Sequence, residues 1–295
     1  MDNYYSQIKE QIINNEITKQ VKNYSINKSD LTTYYNIGKL LNDAGKHYGE
    51  SIIKKYSIKL TNEFGKKYST TTLKYYRLFY NFSIRHSVSD KLTYTHYKLL
   101  LKIKNNNEIE YYINISINNN LSVRQLQERI KSNEYERLPD DTKLKLQNNN
   151  NIEVKDIIKN PIIINNPNNI EILKEKTLQK LILEDIPSFL EELGTDFTFI
   201  KNEYKIKIGD TYNYIDLLLF NIEYNCYIVI ELKITKLRKE YIGQIEIYMN
   251  YIDNNIKKIQ HNKTIGIIIC KKDNKFIIEY ASDKRILSRE YLLTK

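Results

Sequence analysis

The first 135 residues follow a helical pattern, because apolar residues recur at every third or fourth position. Ile53, Tyr56 and Leu60 define one such apolar face. Gly65 follows it and is a residue suited to end a helix. No segment in this part alternates between apolar and polar residues over the length of a strand. The predicted helices cover residues 4–24, 29–44 (ended by Gly45), 50–64, 69–82, 94–104, 108–118 and 122–132.

The pattern changes after a polar segment that contains Pro139 and ends in an asparagine run. A helical pattern over 170–193 is followed by a strand at 197–208, a hairpin at 212–233, a helix at 239–253 and strands at 264–270 and 276–280. We therefore predict an α+β protein. It has an all-helical N-terminal domain at 1–140, a linker and irregular segment at 141–169, and an α/β domain with a mixed central sheet at 170–295.

The predicted hairpin contains carboxylates in otherwise apolar strands, on either side of a polar connection at 221–225. If the chain turns at Glu223-Tyr224, Asp216 lies directly opposite Glu231, and such side chains are about 4.5–5.5 Å apart. Lys233 shares a strand face with Glu231, because side chains two positions apart point the same way. Two facing carboxylates repel each other, so the pattern indicates a bound cation.

Charge is distributed unevenly along the chain. The net charge is +10, and residues 54–104 contain 12 Lys and Arg against only Glu63 and Asp90. A local basic field of this kind favours a polyanionic partner, with nucleic acid as the leading candidate. A solvated helical surface in a lysine-rich chain is the alternative interpretation.

The basic segment contains a helix-turn-helix outline, in which the predicted helices 50–64 and 69–82 are joined by a short turn. Lys74 and Arg77 are three residues apart and share a face of the second helix, while Lys66 and Lys67 occupy the turn. We predict that these four residues bind nucleic acid, either by reading bases or by contacting the backbone. Many helical hairpins have basic faces, so the outline alone is a weak signal.

Spacing excludes several other classes of site. Cys226 and Cys270 form no CxxC pair, and the four histidines lack metal-ligand spacing, so the sequence supports neither a zinc site nor a disulfide framework. No apolar run approaches the roughly eighteen residues that a membrane span requires, and the N-terminus has no apolar signal core. We predict a soluble, cytoplasmic protein with no membrane partner.

The remaining chemistry lies at the end of the hairpin. Asp216 and Glu231 offer the oxygen ligands that Mg²⁺ prefers, and the backbone carbonyl of Leu232 can supply another. Lys233 can orient or deprotonate an attacking water, or stabilise charge on a scissile phosphate. These residues suggest metal-dependent hydrolysis with one or two ions. An E-x-K triplet also arises by chance, and a buried aspartate can equally be paired with a lysine or a backbone amide.

The sequence also resembles a known family. Asp216 and Glu231-x-Lys233 are similar to the signature of the PD-(D/E)XK nuclease superfamily. The chain as a whole resembles the YhcG-type family, in which an N-terminal domain of unknown function precedes a PD-(D/E)XK nuclease domain. The resemblance extends over about residues 30–290 and is carried by YYNIGKLL, FGKKYSTTTLKYYRLFY, LTYTHYKLLLKI, LSVRQLQERI, FLEELGTDFTFI, YIDLLLF, VIELKITKLRKEYIGQIEIYMNY and IGIIICK.

The resemblance implies a restriction-endonuclease-like fold with an αβββαβ core, and cleavage of phosphodiester bonds in DNA with Mg²⁺ or Mn²⁺. It also implies that Gln244 assists catalysis and that Lys236 contacts phosphate. It implies a further metal contact from an acidic residue of the first helix, which we assign to Glu192, with Glu184 and Glu191 as competitors.

The sequence departs from the family pattern at Glu203, where a glutamine is expected, and at Tyr35 and Tyr94, where tryptophan is expected. The first departure leaves the role of that strand open. The other two concern packing rather than chemistry.

Three functions stay open at this point. The leading one is a metal-dependent DNA endonuclease in which Asp216 and Glu231 hold the metal and Lys233 assists the attacking water. The others are a structure-specific or RNA nuclease, and a non-catalytic DNA-binding or assembly module that uses the nuclease fold as a scaffold. The intact set of two carboxylates and a lysine favours an enzyme. The need to cut two strands leads us to expect a homodimer.

Overall fold

The computed structural model describes residues 2–21, 26–148, 150, 152–172 and 174–294. The chain divides into two compact units, Met1–Tyr135 and Glu136–Lys295. The first unit has a hydrophobic core of its own, and the second has two. None of the described helices is long and apolar enough to cross a bilayer.

The first unit is helical, as its apolar periodicity predicts. A single 3-10 turn at Lys66–Tyr68 joins the third and fourth helices. Residues 22–24, the predicted end of the first helix, lie outside the described residues. The helices are α1 (Asp2–Val21), α2 (Ile26–Tyr48), α3 (Ser51–Phe64), α4 (Thr70–Ser83), α5 (Tyr94–Leu100), α6 (Asn106–Asn118) and α7 (Val123–Lys131).

The glycines of α2 differ from the predicted pattern. Gly45 does not end the helix, which continues to Tyr48 and is followed by Gly49 with a φ of +76°. Gly38 lies where α4 approaches most closely, because a Cβ there would be 2.2 Å from the carbonyl oxygen of Tyr76. The packing of α2 against α4 therefore depends on the missing side chain of Gly38.

We expect Gly38→Ala to destabilise the first unit by about 2–3 kcal/mol, since the obstructing atom is backbone and one helix must move away. Gly45→Ala on the same helix is the matched control. Its new Cβ would meet only the ends of two side chains, Arg77 Nη1 at 3.3 Å and Glu50 Oε1 at 3.6 Å. We expect the control to be neutral or stabilising by up to about 1 kcal/mol, as alanine favours a helix interior over glycine. Urea unfolding of both variants is the measurement, and equal effects would contradict the packing described.

The second unit is a mixed sheet covered by helices. Its elements are α8 (Asp140–Gln147), α9 (Val154–Ile157), β1 (Ile162–Asn165), α10 (Glu175–Glu184), α11 (Ile186–Leu193), β2 (Phe197–Ile208), β3 (Thr211–Asn221), β4 (Cys226–Lys236), α12 (Lys239–Asn255), β5 (Asn262–Lys272), α13 (Lys275–Glu279) and β6 (Ile286–Thr294). The strand order is β1-β6-β5-β4-β3-β2. β2, β3 and β4 are antiparallel, whereas β4, β5, β6 and β1 are parallel.

Helices cover both faces of this sheet. Leu178 of α10 and Phe189 of α11 lie in the core on one face, and Ile245 and Met249 of α12 lie in the core on the other. The central strands are therefore buried on both sides, which explains why their sequences are continuous apolar runs rather than alternating ones.

Three predictions for this unit need correction. The segment predicted as a linker, 141–169, contains most of α8, all of α9 and β1, and belongs to the second unit. The single helix predicted over 170–193 is two helices, because Asp185 interrupts it and caps α11 by accepting from the Ser188 amide. The strand predicted at 276–280 is helix α13, and the last strand, β6, was not predicted. A short apolar run does not distinguish a strand from a buried turn of helix.

Candidate active site where two strands diverge

The β3–β4 hairpin has the predicted register. Its pairs run from Asn221–Cys226 next to the turn to Leu217–Ile230. Asp216 and Glu231 come one step beyond the last pair, where β3 stays paired with β2 and β4 stays paired with β5. The two strands therefore diverge at the two carboxylates, and a gap opens between them.

The strand geometry at this point is irregular. Glu203, between the residues of β2 that pair with Ile215 and Leu217, has a φ of +45°. Ile215 lies in the core under α12, whereas Leu217 lies in the core under α10 and α11. Residues two apart share a face in a regular strand, so the pleat is broken at Asp216. This break turns Asp216 toward the gap instead of into either core.

Asp216 is held by two backbone contacts. Its Oδ2 accepts a hydrogen bond from the Leu232 amide at 2.8 Å, and its carbonyl accepts one from Gln179 Nε2 of α10 at 3.0 Å. Burial raises the pKa of Asp216, although the Leu232 amide and the charge of Lys233 oppose the rise. The carboxylate is thus fixed across the gap, against the strand that carries Glu231.

Glu231 is almost completely buried, with 2% of its surface exposed. Its Oε2 accepts from Lys233 Nζ at 3.2 Å, while its Oε1 has no hydrogen-bond partner among the described residues. Burial and the nearby Asp216 raise the pKa of Glu231 to about 8. A buried carboxylate oxygen without a partner is unfavourable, so this atom marks a place where a ligand would be stabilised.

Lys233 lies between two carboxylates. Its Nζ is 3.2 Å from Glu231 Oε2 and 3.5 Å from Glu175 Oε2, and it lies over the ring of Tyr241 at 5.2 Å. Burial alone would lower the pKa of Lys233, but the charges of Glu231 and Glu175 outweigh it and the net pKa is raised. Lys233 is therefore a charged ammonium at neutral pH.

Helix α12 closes the site from one side. Gln244, the predicted helper, donates to the hydroxyl of Tyr248 at 3.0 Å. Burial raises the pKa of Tyr248, and the charges of Glu231 and Asp216 add to the rise. Gln244 is thus connected to the carboxylate pair through Tyr248.

The structure does not bring Glu192 to this cluster. Its carboxylate binds Arg137, lies 3.7 Å from Lys159 Nζ and accepts from the Ile163 amide at 2.9 Å. These contacts hold α11 to β1. The competitors, Glu184 and Glu191, are exposed.

Glu175 is the acidic residue that sequence reasoning missed. It lies in the first turn of α10, four residues before Gln179, so that one helix face contacts both Lys233 and the backbone of Asp216. With 170–193 predicted as one helix, the candidate acidic residues were those near its C-terminal end, Glu184, Glu191 and Glu192. The spacing of Glu175 and Gln179 is the signal that could have identified the correct helix face.

The predicted nucleic-acid contacts of the first unit fall into two groups. Lys67 forms an ion pair with Glu16 at 2.8 Å, and Arg77 forms one with Glu50 at 2.6 Å. The side chains of Lys66 and Lys74 are exposed. In the second unit, Lys236 is exposed at the end of β4.

The donor set fits a hard divalent cation. Among the described residues, no group of three His, Cys, Asp or Glu side chains is arranged to hold a metal ion. Mg²⁺ does not need such a cage, because it is usually bound by one or two carboxylates together with waters and substrate phosphates. Asp216 and the Glu231 oxygen without a partner supply two such carboxylates.

Comparison with known families matches both halves of the chain. The model described as the YhcG PDDEXK nuclease domain matches residues 155–294. The model described as the DUF1016 N-terminal domain matches residues 7–137. The two ranges correspond closely to the two units.

A curated relative aligns along most of the chain. It is named "Putative nuclease YhcG", from Escherichia coli (strain K12), and is 25% identical over 315 residues, which cover 90% of this chain and 84% of the relative. Two solved structures each align with 41% of this chain. The "crystal structure of a repair endonuclease from Pyrococcus abyssi" has 16% identity and a TM-score of 0.29, and the "Structure of EndoMS-dsDNA2 complex" has 19% identity and a TM-score of 0.30. The chain spans about half of either structure, 48% and 47%.

Proposed function

Because the chain belongs to the YhcG-type family of PD-(D/E)XK nuclease proteins, we propose that it is a divalent-metal-dependent DNA endonuclease. Its active site consists of Asp216, Glu231 and Lys233. The observation that carries this proposal is a buried Glu231 oxygen, next to a second carboxylate, for which the described part of the chain supplies no hydrogen-bond partner. A bound cation would compensate both the cost of burying the Glu231 carboxylate and its repulsion from Asp216.

Asp216 and Glu231 would hold the metal, with the Leu232 carbonyl as a further ligand. Glu175 lies 3.5 Å from Lys233 Nζ and would orient the ammonium group from α10. A bound Mg²⁺ or Mn²⁺ would lower the pKa of the attacking water and neutralise charge on the scissile phosphate.

Lys233 acts through its positive charge. Because nearby Glu231 and Glu175 raise its pKa, the ammonium form is favoured, and we propose that Lys233 is not the base. It instead donates hydrogen bonds, which orient the attacking water and stabilise negative charge on the phosphate. Gln244 donates to the Tyr248 hydroxyl on α12, and Tyr248 is close enough to Glu231 and Asp216 for their charges to raise its pKa.

The helical unit contributes nucleic-acid contacts through Lys66 and Lys74. Lys67 and Arg77 contribute less than the sequence alone predicts, because each is paired with a carboxylate. Lys236 contacts phosphate next to the active site. Two chains act together to cut both strands.

The test is cleavage of supercoiled, linear, branched and single-stranded DNA, and of RNA, by the full chain with Mg²⁺ or Mn²⁺. We expect cleavage of DNA that disappears with EDTA. Cleavage confined to RNA would contradict the DNA assignment. Absence of cleavage on every substrate would favour a non-catalytic scaffold.

Metal binding should depend on pH. The pKa of Glu231 rises from an ordinary value of 4.5 to about 8 in the folded chain. Between these pH values Glu231 of the metal-free protein carries a proton, which an incoming cation must displace. The affinity for the cation should therefore increase by up to about tenfold per pH unit and level off above about pH 8. The raised pKa of Glu231 also contributes to the stability of the fold. This contribution is fully present below pH 4.5 and is lost as the pH rises through 8.

Calorimetric titration with Mn²⁺ from pH 6 to 9 measures this dependence without reference to activity. Glu231→Gln is the control, because it removes the titrating group and should bind more weakly with a flat pH profile. A flat profile in the unsubstituted protein would contradict metal binding at a Glu231 whose pKa is raised.

A further inference from the structure

The β2 and β3 strands continue as a two-stranded ribbon beyond the point where β4 leaves β3. The ribbon runs from the pair Tyr204–Ile215 to the pair Ile208–Thr211. A two-residue turn closes it at Gly209 and Asp210, where Gly209 has the positive φ, +58°, that tight hairpin turns require. β2 is the edge strand of the sheet, so one side of the ribbon has no neighbouring strand in the described sheet.

The inner face of the ribbon is packed. Ile206 of β2 and Ile215 of β3 are buried, with 1% and 0% of their surfaces exposed, and both belong to the core under α12. This packing holds the ribbon against the domain and fixes which side chains point outward.

The outer face combines lysine with tyrosine. Lys205 pairs with Tyr214, and Lys207 pairs with Tyr212, so all four side chains lie on one face. Tyr212 and Tyr214 are 56% and 52% exposed, and both lysines are exposed. Lys205 Nζ lies over the ring of Tyr212 at 3.7 Å.

The nearby acidic residues do not cancel this charge. Glu203 is paired with Lys176 of α10 at 3.4 Å. Asp210 lies at the tip, beyond the lysine–tyrosine pairs. The outer face therefore stays net positive.

This surface begins next to the active site. Tyr214 is two residues from Asp216 in the same strand, which corresponds to about 6.6 Å along β3. A nucleic acid with its scissile phosphate at Asp216 would therefore run either across the outer face of the ribbon or in the opposite direction.

We propose that the outer face of the ribbon, formed by Lys205, Lys207, Tyr212 and Tyr214, binds the phosphate backbone of duplex DNA and positions it at Asp216. Lysine and tyrosine side chains are common donors to phosphate oxygens, and such contacts fix register and orientation without reading sequence. The face offers two ammonium groups and two phenol hydroxyls side by side, which suits repeated contacts to a continuous phosphate backbone. This inference rests on the proposed nuclease function and adds to it the surface that orients the substrate.

An edge strand also benefits from lysines for another reason, since charge on an edge prevents pairing with other chains. That explanation requires no nucleic acid. Under it, neutral substitution of the lysines would promote self-association and leave DNA affinity unchanged.

The experiment uses the full chain carrying Asp216→Asn, so that binding is measured without cleavage. Fluorescence anisotropy with a labelled 24-base-pair duplex in EDTA gives the affinity over a series of KCl concentrations. The test variant adds Lys205→Gln and Lys207→Gln. The matched control adds Lys258→Gln and Lys263→Gln, which removes the same charge from exposed residues near the β3–β4 turn, at the other end of the sheet.

We expect the test variant to lower the slope of log affinity against log salt by about 1.8, because each lost phosphate contact lowers it by about 0.9. The control variant should keep the slope of its parent. Equal slopes for test and control would overturn the inference, as would self-association of the test variant at unchanged affinity. Failure of the parent to bind the duplex would also overturn it, while the cleavage assay on the unsubstituted chain would decide the proposed function separately.

Discussion

Replacing Asp216 by asparagine is expected to lower DNA cleavage about 10³-fold while the protein stays folded and loses no stability. The loss corresponds to roughly 4 kcal/mol of transition-state stabilisation, because asparagine cannot supply the charge that holds the cation. Stability should be unchanged or slightly higher. Burial raises the pKa of Asp216, so its charged form is disfavoured in the fold, and asparagine can still accept from the Leu232 amide.

The measurement is the rate of cleavage of supercoiled DNA with Mg²⁺, together with the melting temperature of each variant. Glu191→Gln serves as the control. Glu191 is exposed on α11, and its substitution removes the same charge as Asp216→Asn. Cleavage by Asp216→Asn at the rate of the control would refute the assignment of the site.

Replacing Glu192 by glutamine should have the opposite result, a loss of stability without loss of the chemistry. The side chain of Glu192 is 13% exposed and lies between Arg137 and Lys159, whose side chains are 9% and 3% exposed. Removing one partner of a buried ion pair costs about 3–5 kcal/mol, and the two cations would then repel each other. We expect a decrease of about 3 kcal/mol in the free energy of unfolding.

Glu191→Gln is again the matched control, since it changes the neighbouring residue on the same helix at an exposed position. Urea unfolding gives the stability, and cleavage at a temperature where Glu192→Gln is fully folded gives the activity. If a folded Glu192→Gln variant failed to cut DNA, Glu192 rather than Glu175 would be the acidic residue that the active site requires.

The two substitutions separate acidic residues that look alike in the sequence. Burial disfavours the charged form of Asp216, which under the proposed function a bound cation would stabilise. Glu192 is satisfied by its surroundings and holds α11 to β1. The difference between them lies in their neighbours, and those neighbours come from distant parts of the chain.

The local pattern was sufficient for the central part of the site. The position of the turn between β3 and β4 sets the register, and the register places Asp216 and Glu231 at the same level. Neither inference needs a contact with a distant element, because antiparallel neighbours joined by a short turn are paired by local geometry. The E-x-K spacing likewise determines that Glu231 and Lys233 share a face, and the two are in contact in the structure.

The local pattern was insufficient where a charge has a distant partner. Arg77 is predicted to bind nucleic acid, and in the structure its Nη1 donates to both carboxylate oxygens of Glu50, 27 residues away. The sequence shows that both residues are charged without showing that the fold brings them together. The same holds for Glu192, whose partners Arg137 and Lys159 are distant in the sequence.

The sequence by itself determined the helical and mixed-sheet parts of the chain, the facing carboxylates and the lysine beside them. Each of these depends on periodicity or on a short turn, which act over a few residues. Only the tertiary structure decided that Glu175 lies beside Lys233, that α13 is a helix, and that the β2–β3 ribbon has a packed inner face and a basic outer one. These features depend on which distant elements pack together, and burial by those elements gives the same residue types different roles.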